Sequence, residues 1–180
     1  PSDCARDWVQ TEFRIAAKNV MATGNMIVCC RLKEICVTTI SMGVMNKKKI
    51  YTLDGSDFSS LEEFARHFSD VVLPEYRWNG NLNAFNDILR GGFGTPAEGF
   101  VIRWKNAELS RQKLGYPATI RQLKEHLNNC PPTNREHIAR ELKAANRHEG
   151  STVFDWLIEI IRNHGPGGRE AEDGVELILD

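Results

Sequence analysis

The chain is short of several things, and each shortage closes off a class of function. No apolar run approaches the ~20 residues that a membrane-spanning helix needs. Its 23 Lys and Arg against 24 Asp and Glu leave a formal net charge of −1, without the basic excess of a general nucleic-acid binder. It opens on proline, and no basic, apolar and small-residue leader follows, so a secretory signal is not expected. Cysteine is concentrated at one end: Cys4, Cys29, Cys30 and Cys36 fall in the first 41 residues, and only Cys130 in the remaining 139. A small secreted domain would carry disulfide partners throughout. The larger part therefore reads as a reduced, cytoplasmic domain.

Catalytic and cofactor motifs are equally scarce. The loop GGFGTP (Gly91 to Pro96) has the glycine content of a phosphate cradle, but it follows a helical pattern and precedes a strand pattern. Phosphate loops work in the opposite order, and no Gly-Lys-Ser/Thr follows this one. His67, His126, His137, His148 and His164 show no HExxH or similar ligand spacing. Cys130 has no second cysteine near it to complete a metal site with His126 and His137, and its place before two prolines marks a loop thiol. Nothing assembles a nucleophile, a base and an oxyanion donor. An enzyme is not expected, nor a cofactor or a metal.

What the chain does contain is an ordinary globular complement, with 41% apolar and 26% charged residues. A length of 180 residues suggests one domain with an appendage. Residues 1–41 mix short apolar runs with scattered charge and lack caps and turn signals, and Met42 and Met45 then precede NKKKIYTLDG. We expect an N-terminal extension over 1–41 and the functional domain over 42–180. In that domain, KKIYTLD reads as a strand closing at Asp54-Gly55. Ser59 with Glu62 has capping-box spacing ahead of Leu61, Phe64, Phe68 and Val71, and Pro74 ends that helix. A second helix runs from Leu82 to Arg90 and stops at Gly91-Gly92; FVIRWK is the second strand. Thr119 with Gln122, then Thr133 with Glu136, predict two capped helices. Ser151 starts a further helix that ends at HGPGG, and VELILD is the third strand. Strands separated by helices predict an α/β fold, a small three-stranded parallel sheet packed with helices.

Two helices present acid outward. On the first, Leu82, Phe85, Ile88 and Leu89 gather on one side, while Asn83 and Asp87 stack opposite them. On the later helix, Asp155 and Glu159 stand at i, i+4 away from Phe154, Leu157 and Ile161. Tyr76 and Trp78 lie in the Asn/Gly-rich loop beside the first helix, where burial on both sides is not expected. Aromatics beside carboxylates on a rigid helix suit a surface for a basic protein partner. Two solvated helix faces would leave the same pattern.

The segment LPEYRWNGNLNAFNDILRGG, from Leu73, resembles the signature of the barstar family, intracellular inhibitors of ribonucleases. There a Leu-Pro-x-Tyr segment leads through a Gly/Asn loop into Asn-Leu-Asp-Ala-Leu-x-Asp and a glycine stop. The corresponding residues are Asn81-Leu82-Asn83-Ala84-Phe85-Asn86-Asp87. The flanking strands and helices follow in the same order over about residues 45–180. The resemblance implies a barstar-like fold with an extra helical pair inserted at about 107–150. It also implies a protein that plugs the basic cleft of a secreted-type or toxin ribonuclease, acting as an inhibitor or immunity protein. Its partner-binding residues would be Tyr76 or Trp78, Asn83, Asp87 and Glu159. Asp87 would enter the phosphate site, Asn83 stands where the family often has a second aspartate, and Glu159 would stand for the acid of the later helix. An interaction module with a non-nuclease partner is the alternative, and the amide at Asn83 argues for it. Trp156 and Ile160 form a second apolar strip on the later helix, expected to receive the inserted helices.

Overall fold

The computed structural model describes residues 47–180, and within them Lys48–Asp180 forms one compact unit. The expected extension over 1–41 and the two candidate starting methionines lie outside the described residues. The elements are β1 (Lys49–Asp54), α1 (Leu61–Val72), α2 (Leu82–Leu89), β2 (Phe100–Lys105), α3 (Ala107–Lys113), α4 (Tyr116–Asn129), α5 (Pro132–Ala145), α6 (Val153–Asn163), a 3-10 turn (Ala171–Asp173) and β3 (Glu176–Leu179). The fold is α/β, and no described helix is long and apolar enough to cross a membrane.

The three strands are parallel, in the order β1-β2-β3. Alternation along each strand decides which face meets the helices. Register sets Tyr51 beside Ile102 and Ile102 beside Leu177, then Leu53 beside Trp104 and Trp104 beside Leu179. These residues, with Phe100, point to the core, whereas Ile50, Thr52, Arg103 and Ile178 on the other face are exposed. The core is largely aromatic. Trp104 is fully buried on the central strand, stacks on Phe64 at 5.0 Å and donates from Nε1 to Ser110 Oγ at 2.8 Å.

Helix starts differ from the sequence expectation by small and instructive amounts. The α1 N-cap is Ser60, not Ser59: Ser60 Oγ accepts from Glu63 N, and the Glu63 carboxylate accepts from Ser59 N and Oγ. The reciprocal logic survives, spread over two serines and displaced by one residue. Thr119 does not cap α4, which starts three residues earlier behind Gly115. Its buried hydroxyl donates to Gly115 O and accepts from Val153 N, so it ties α4 to the start of α6. Thr133 lies inside the first turn of α5, whose N-cap is Pro131. Helix α6 is capped by Thr152 rather than Ser151, in a full capping box with Asp155.

The segment expected to hold two helices holds three, because Ala107–Lys113 forms the short α3 directly after β2. Helices α4 and α5 make their own small core of Leu123, Cys130, Ile138 and Ala145, and Trp156 of α6 packs against it. Of the expected apolar strip, only Trp156 meets the helical pair, and it packs on the main core too, as Ile160 does. Cys130 is buried at the end of α4 with a reduced thiol.

The loop after α6 is folded back on the domain by close backbone crossings. Gly99, at φ +81°, comes so near Gly174 that a β-carbon there would stand 2.3 Å from the Gly174 carbonyl oxygen. Only glycine fits such a crossing. Glu170 N donates to Asn163 O at 2.8 Å and Val175 N to His164 O at 2.9 Å, which fixes the loop against the C-terminus of α6.

Candidate functional site: the exposed face of α2

The site helix is held by its asparagines. Asn79 Oδ1 accepts from Asn81 N at 3.1 Å, and Asn81 Oδ1 in turn accepts from Asn83 N and Ala84 N at 2.9 and 3.2 Å. Asn81 is the N-cap, satisfying two of the amides that a helix start leaves unpaired. Gly80 supplies the left-handed turn between them at φ +89°. Phe85, Ile88 and Leu89 are buried, and Asn83 and Asp87 are exposed on the opposite side.

Trp78 is corrected from a surface residue to a core residue. It is only 4% exposed, stacks on Phe85 at 4.6 Å and meets Phe64 and Phe68 edge-on. Its amide donates to Ser69 Oγ at 3.0 Å and its Nε1 to Asn81 O at 2.8 Å. Both polar groups are satisfied inside the protein, so an Asn/Gly-rich loop can bury an indole. Tyr76 is the exposed aromatic of this loop, and its ring lies 5.0 Å from that of Phe93, exposed on the loop that follows α2. Arg77 is turned to an ion pair with Asp70.

The acids of α6 have different surroundings. Asp155 is committed to the capping box and lies 3.6 Å from Arg111, so the expected Asp155/Glu159 pair does not act as a free acidic stack. Glu159 is exposed and lines a groove of about 610 Å³ with Ile158, Arg162, the Gly165–Gly168 loop and Leu177 of β3. No residue of α2 or of its flanking loops lines that groove. Tyr76, Asn83 and Asp87 thus sit on and beside one helix, and Glu159 lies on another, α6.

Beneath Asp87 runs an ion-pair network that sequence reasoning missed. Asp87 Oδ1 lies 3.3 Å from Arg90 Nη1. Arg90 donates from Nε and Nη2 to the two oxygens of Glu170, at 2.6 and 2.7 Å. Glu170 lies 3.4 Å from Nδ1 of the fully buried His164. His164 meets Asp173 at 2.6 Å through Nδ1 and Asn86 of α2 at 3.0 Å through Nε2. Both faces of α2 are therefore in use: Asp87 outward, Asn86 inward. The only legible trace of this in the sequence was a histidine at a helix end followed by the acidic run REAED.

His164, Glu170 and Asp173 bring their ligand-type atoms within 4.8 Å of one another, the composition of a cation site. Their atoms are already used, however. Glu170 gives both oxygens to Arg90, and Asp173 meets the histidine. A divalent cation would have to displace a guanidinium, so the cluster is an ion-pair network.

The hydrogen bonds from Arg90 hold the Glu170 carboxyl below its ordinary value of 4.5, partial burial opposing, and Glu170 raises the Arg90 guanidinium in return. A carboxyl depressed in the folded state contributes stability above its unfolded value and loses it as pH falls through the folded one. Acidification from about pH 6 to pH 3 is expected to cost the wild type more stability than Glu170→Gln. Urea unfolding midpoints of both proteins across that range check this, and parallel profiles would refute it.

Fold and surface together define a class: a small parallel α/β protein that presents a capped, rigid helix with an exposed carboxylate and an adjacent aromatic. Residues 48–137 match the family model described as Barstar (barnase inhibitor), and the chain belongs to that family. No curated protein matches the chain. The family match runs through α3, α4 and the start of α5 and stops before α6 and β3. The family is described as an inhibitor of barnase rather than as an enzyme.

Proposed function

We propose that this chain binds a ribonuclease and blocks its basic cleft with the outer face of α2, as an inhibitor or an immunity protein for a nuclease of its own cell. The observation that carries the reading is Asp87, exposed on a helix whose N-cap, core face and inner flank are all fixed. Membership of a family described by its inhibition of barnase supports it. A cleft that binds RNA phosphate is lined with cations, and a carboxylate on a rigid support competes for them. Charge complementarity steers the encounter, and desolvation at the centre then holds the complex. Tyr76, exposed beside the helix, is the aromatic contact. The direct experiment is titration of this chain into RNA cleavage by barnase. Stoichiometric loss of cleavage supports the reading, and full activity at micromolar excess counts against it for nucleases of that type.

Asn83 favours a second reading, in which the same face serves a partner that is not a nuclease, because an amide supplies no charge to a phosphate site. The two readings separate on Asn83→Asp. If the partner is a ribonuclease cleft, the added carboxylate is expected to raise affinity by roughly tenfold, mainly through the association rate at low salt. It also places an acid in the first turn of α2, which has none, and is expected to add about 0.3–1 kcal/mol of stability. Stopped-flow association with barnase at two ionic strengths, with a urea melt beside it, measures both. A gain in stability with no gain in association favours the non-nuclease partner. Glu159, on its separate groove, is proposed as a second contact outside the α2 patch.

A further inference from the structure

We propose that Glu170 is a positioning residue that engages the Nε/Nη2 edge of Arg90, limits Arg90 to one long contact with Asp87, and so keeps the Asp87 carboxylate available to a cationic partner. The inference rests on the reading of α2 as the binding face. It starts from a competition visible in the geometry. Arg90 stands one helical turn after Asp87, where a guanidinium can neutralise that carboxylate. A free acid for a basic cleft and an arginine within reach of it are opposed requirements.

The structure resolves the opposition by giving Arg90 a better partner. Glu170 takes the Nε and Nη2 edge in a two-pronged arrangement at 2.6 and 2.7 Å, the geometry in which a guanidinium binds carboxylate most strongly. Asp87 is left with a single 3.3 Å contact to Nη1. Glu170 can hold this position because its own backbone is fixed. Its amide donates to Asn163 O at 2.8 Å, and Gly168 packs so tightly that a β-carbon there would lie 2.2 Å from the same carbonyl oxygen. His164 reinforces the arrangement from beneath, with Glu170 and Asp173 on one ring nitrogen and Asn86 of α2 on the other. The end of α6 and the loop after it therefore act as a bracket that reaches the binding helix at Asn86 and, one turn on, at Arg90. Removing the Glu170 charge frees the two-pronged edge of Arg90, and the nearest carboxylate on its own helix is Asp87. A carboxylate already paired within its own protein offers less field to a partner's cations and must give up that pair to bind.

The test is a cycle of Glu170→Gln, Arg90→Gln and the double variant, with barnase as the probe and dissociation measured alongside affinity. Glu170→Gln is expected to weaken binding by roughly tenfold, and Arg90→Gln to tighten it several-fold by leaving Asp87 without its intramolecular cation. The double variant should behave like Arg90→Gln, because the effect of Glu170 on the Asp87 carboxylate runs through Arg90. Equal weakening by Glu170→Gln in both backgrounds would mean that the loop merely loosens, and would overturn the proposal. So would no effect of Glu170→Gln on binding while it remains folded. If Glu170→Gln does not fold, Arg90→Gln alone decides, since tightening requires no change at Glu170 and weakening contradicts it. If the wild type does not bind barnase, the nuclease reading fails for that enzyme, and the positioning role is read from a crystal structure of Glu170→Gln. Arg90 turned onto Asp87 with two hydrogen bonds supports the role; Arg90 left in place or released to solvent overturns it.

Discussion

Asp87→Ala is expected to weaken ribonuclease binding by about 2–5 kcal/mol, a loss of roughly 30-fold to several thousand-fold, with most of it in the dissociation rate. That range is drawn in part from barnase–barstar itself and is carried over to this chain as an expectation, not obtained from its geometry. The direction does follow from the geometry. Asp87 is exposed on α2, makes one long contact with Arg90 and contributes nothing to the core. A partially exposed i,i+3 pair of this kind contributes at most about 1 kcal/mol to folding. The thermal midpoint should therefore move little while the complex falls apart faster. Two measurements check it together: surface-immobilised dissociation kinetics with barnase, and a melt of the free variant. Unchanged dissociation removes Asp87 from the centre of the interface. A large fall in the melting midpoint would show instead that the Arg90–Glu170 network depends on Asp87.

The sequence was legible where local chemistry and burial pointed the same way. The three strands, their parallel arrangement and the order of the elements followed from apolar alternation and turn residues, and all three strands are found. The start of α2 at Leu82 followed from its apolar face, and Asn81 directly ahead of it caps the helix by accepting from Asn83 N and Ala84 N. Legibility failed where a side chain had two possible employers. Ser59 and Ser60 both neighbour the start of α1; Ser60 caps it, while Ser59 donates to the Glu63 carboxylate. Thr119 has the spacing of a cap but is claimed by Val153 N, thirty-four residues away, and no local pattern announces that bond. The network from Asn86 to Glu170 was invisible for the same reason. Its members lie on α2 and on the loop after α6, and only the packing of the two brings them together. The family match ends at residue 137, so the His164, Glu170 and Asp173 side of this network lies beyond it.

Trp78→Ala is expected to be the converse of Asp87→Ala. It should cost about 3–5 kcal/mol of stability, the range for emptying a buried large aromatic site. For a domain whose total stability is typically about 5–15 kcal/mol, that is a large fraction. The loss has two components here. The indole stacks on Phe85, the residue that anchors α2 to the core, and it contacts Phe64 and Phe68 of α1, so the substitution opens a void between the two helices. Its Nε1–H is the donor to the carbonyl of Asn81, so the α2 cap loses its lateral support. The Trp78 amide bond to Ser69 can persist, and with it the path of the loop. Trp78→Phe retains most of the stack and loses only the Nε1 donor, so it should cost about 1–2 kcal/mol. Urea unfolding of both variants, with barnase dissociation measured at low temperature where each is folded, separates the roles. A fall in unfolding midpoint in the order Ala, then Phe, then wild type, with a smaller binding loss than Asp87→Ala, fits an indole that shapes the site from within. An unchanged midpoint with a severe loss of binding would return Trp78 to the surface. The face that binds would then be the loop ahead of α2 rather than the helix itself.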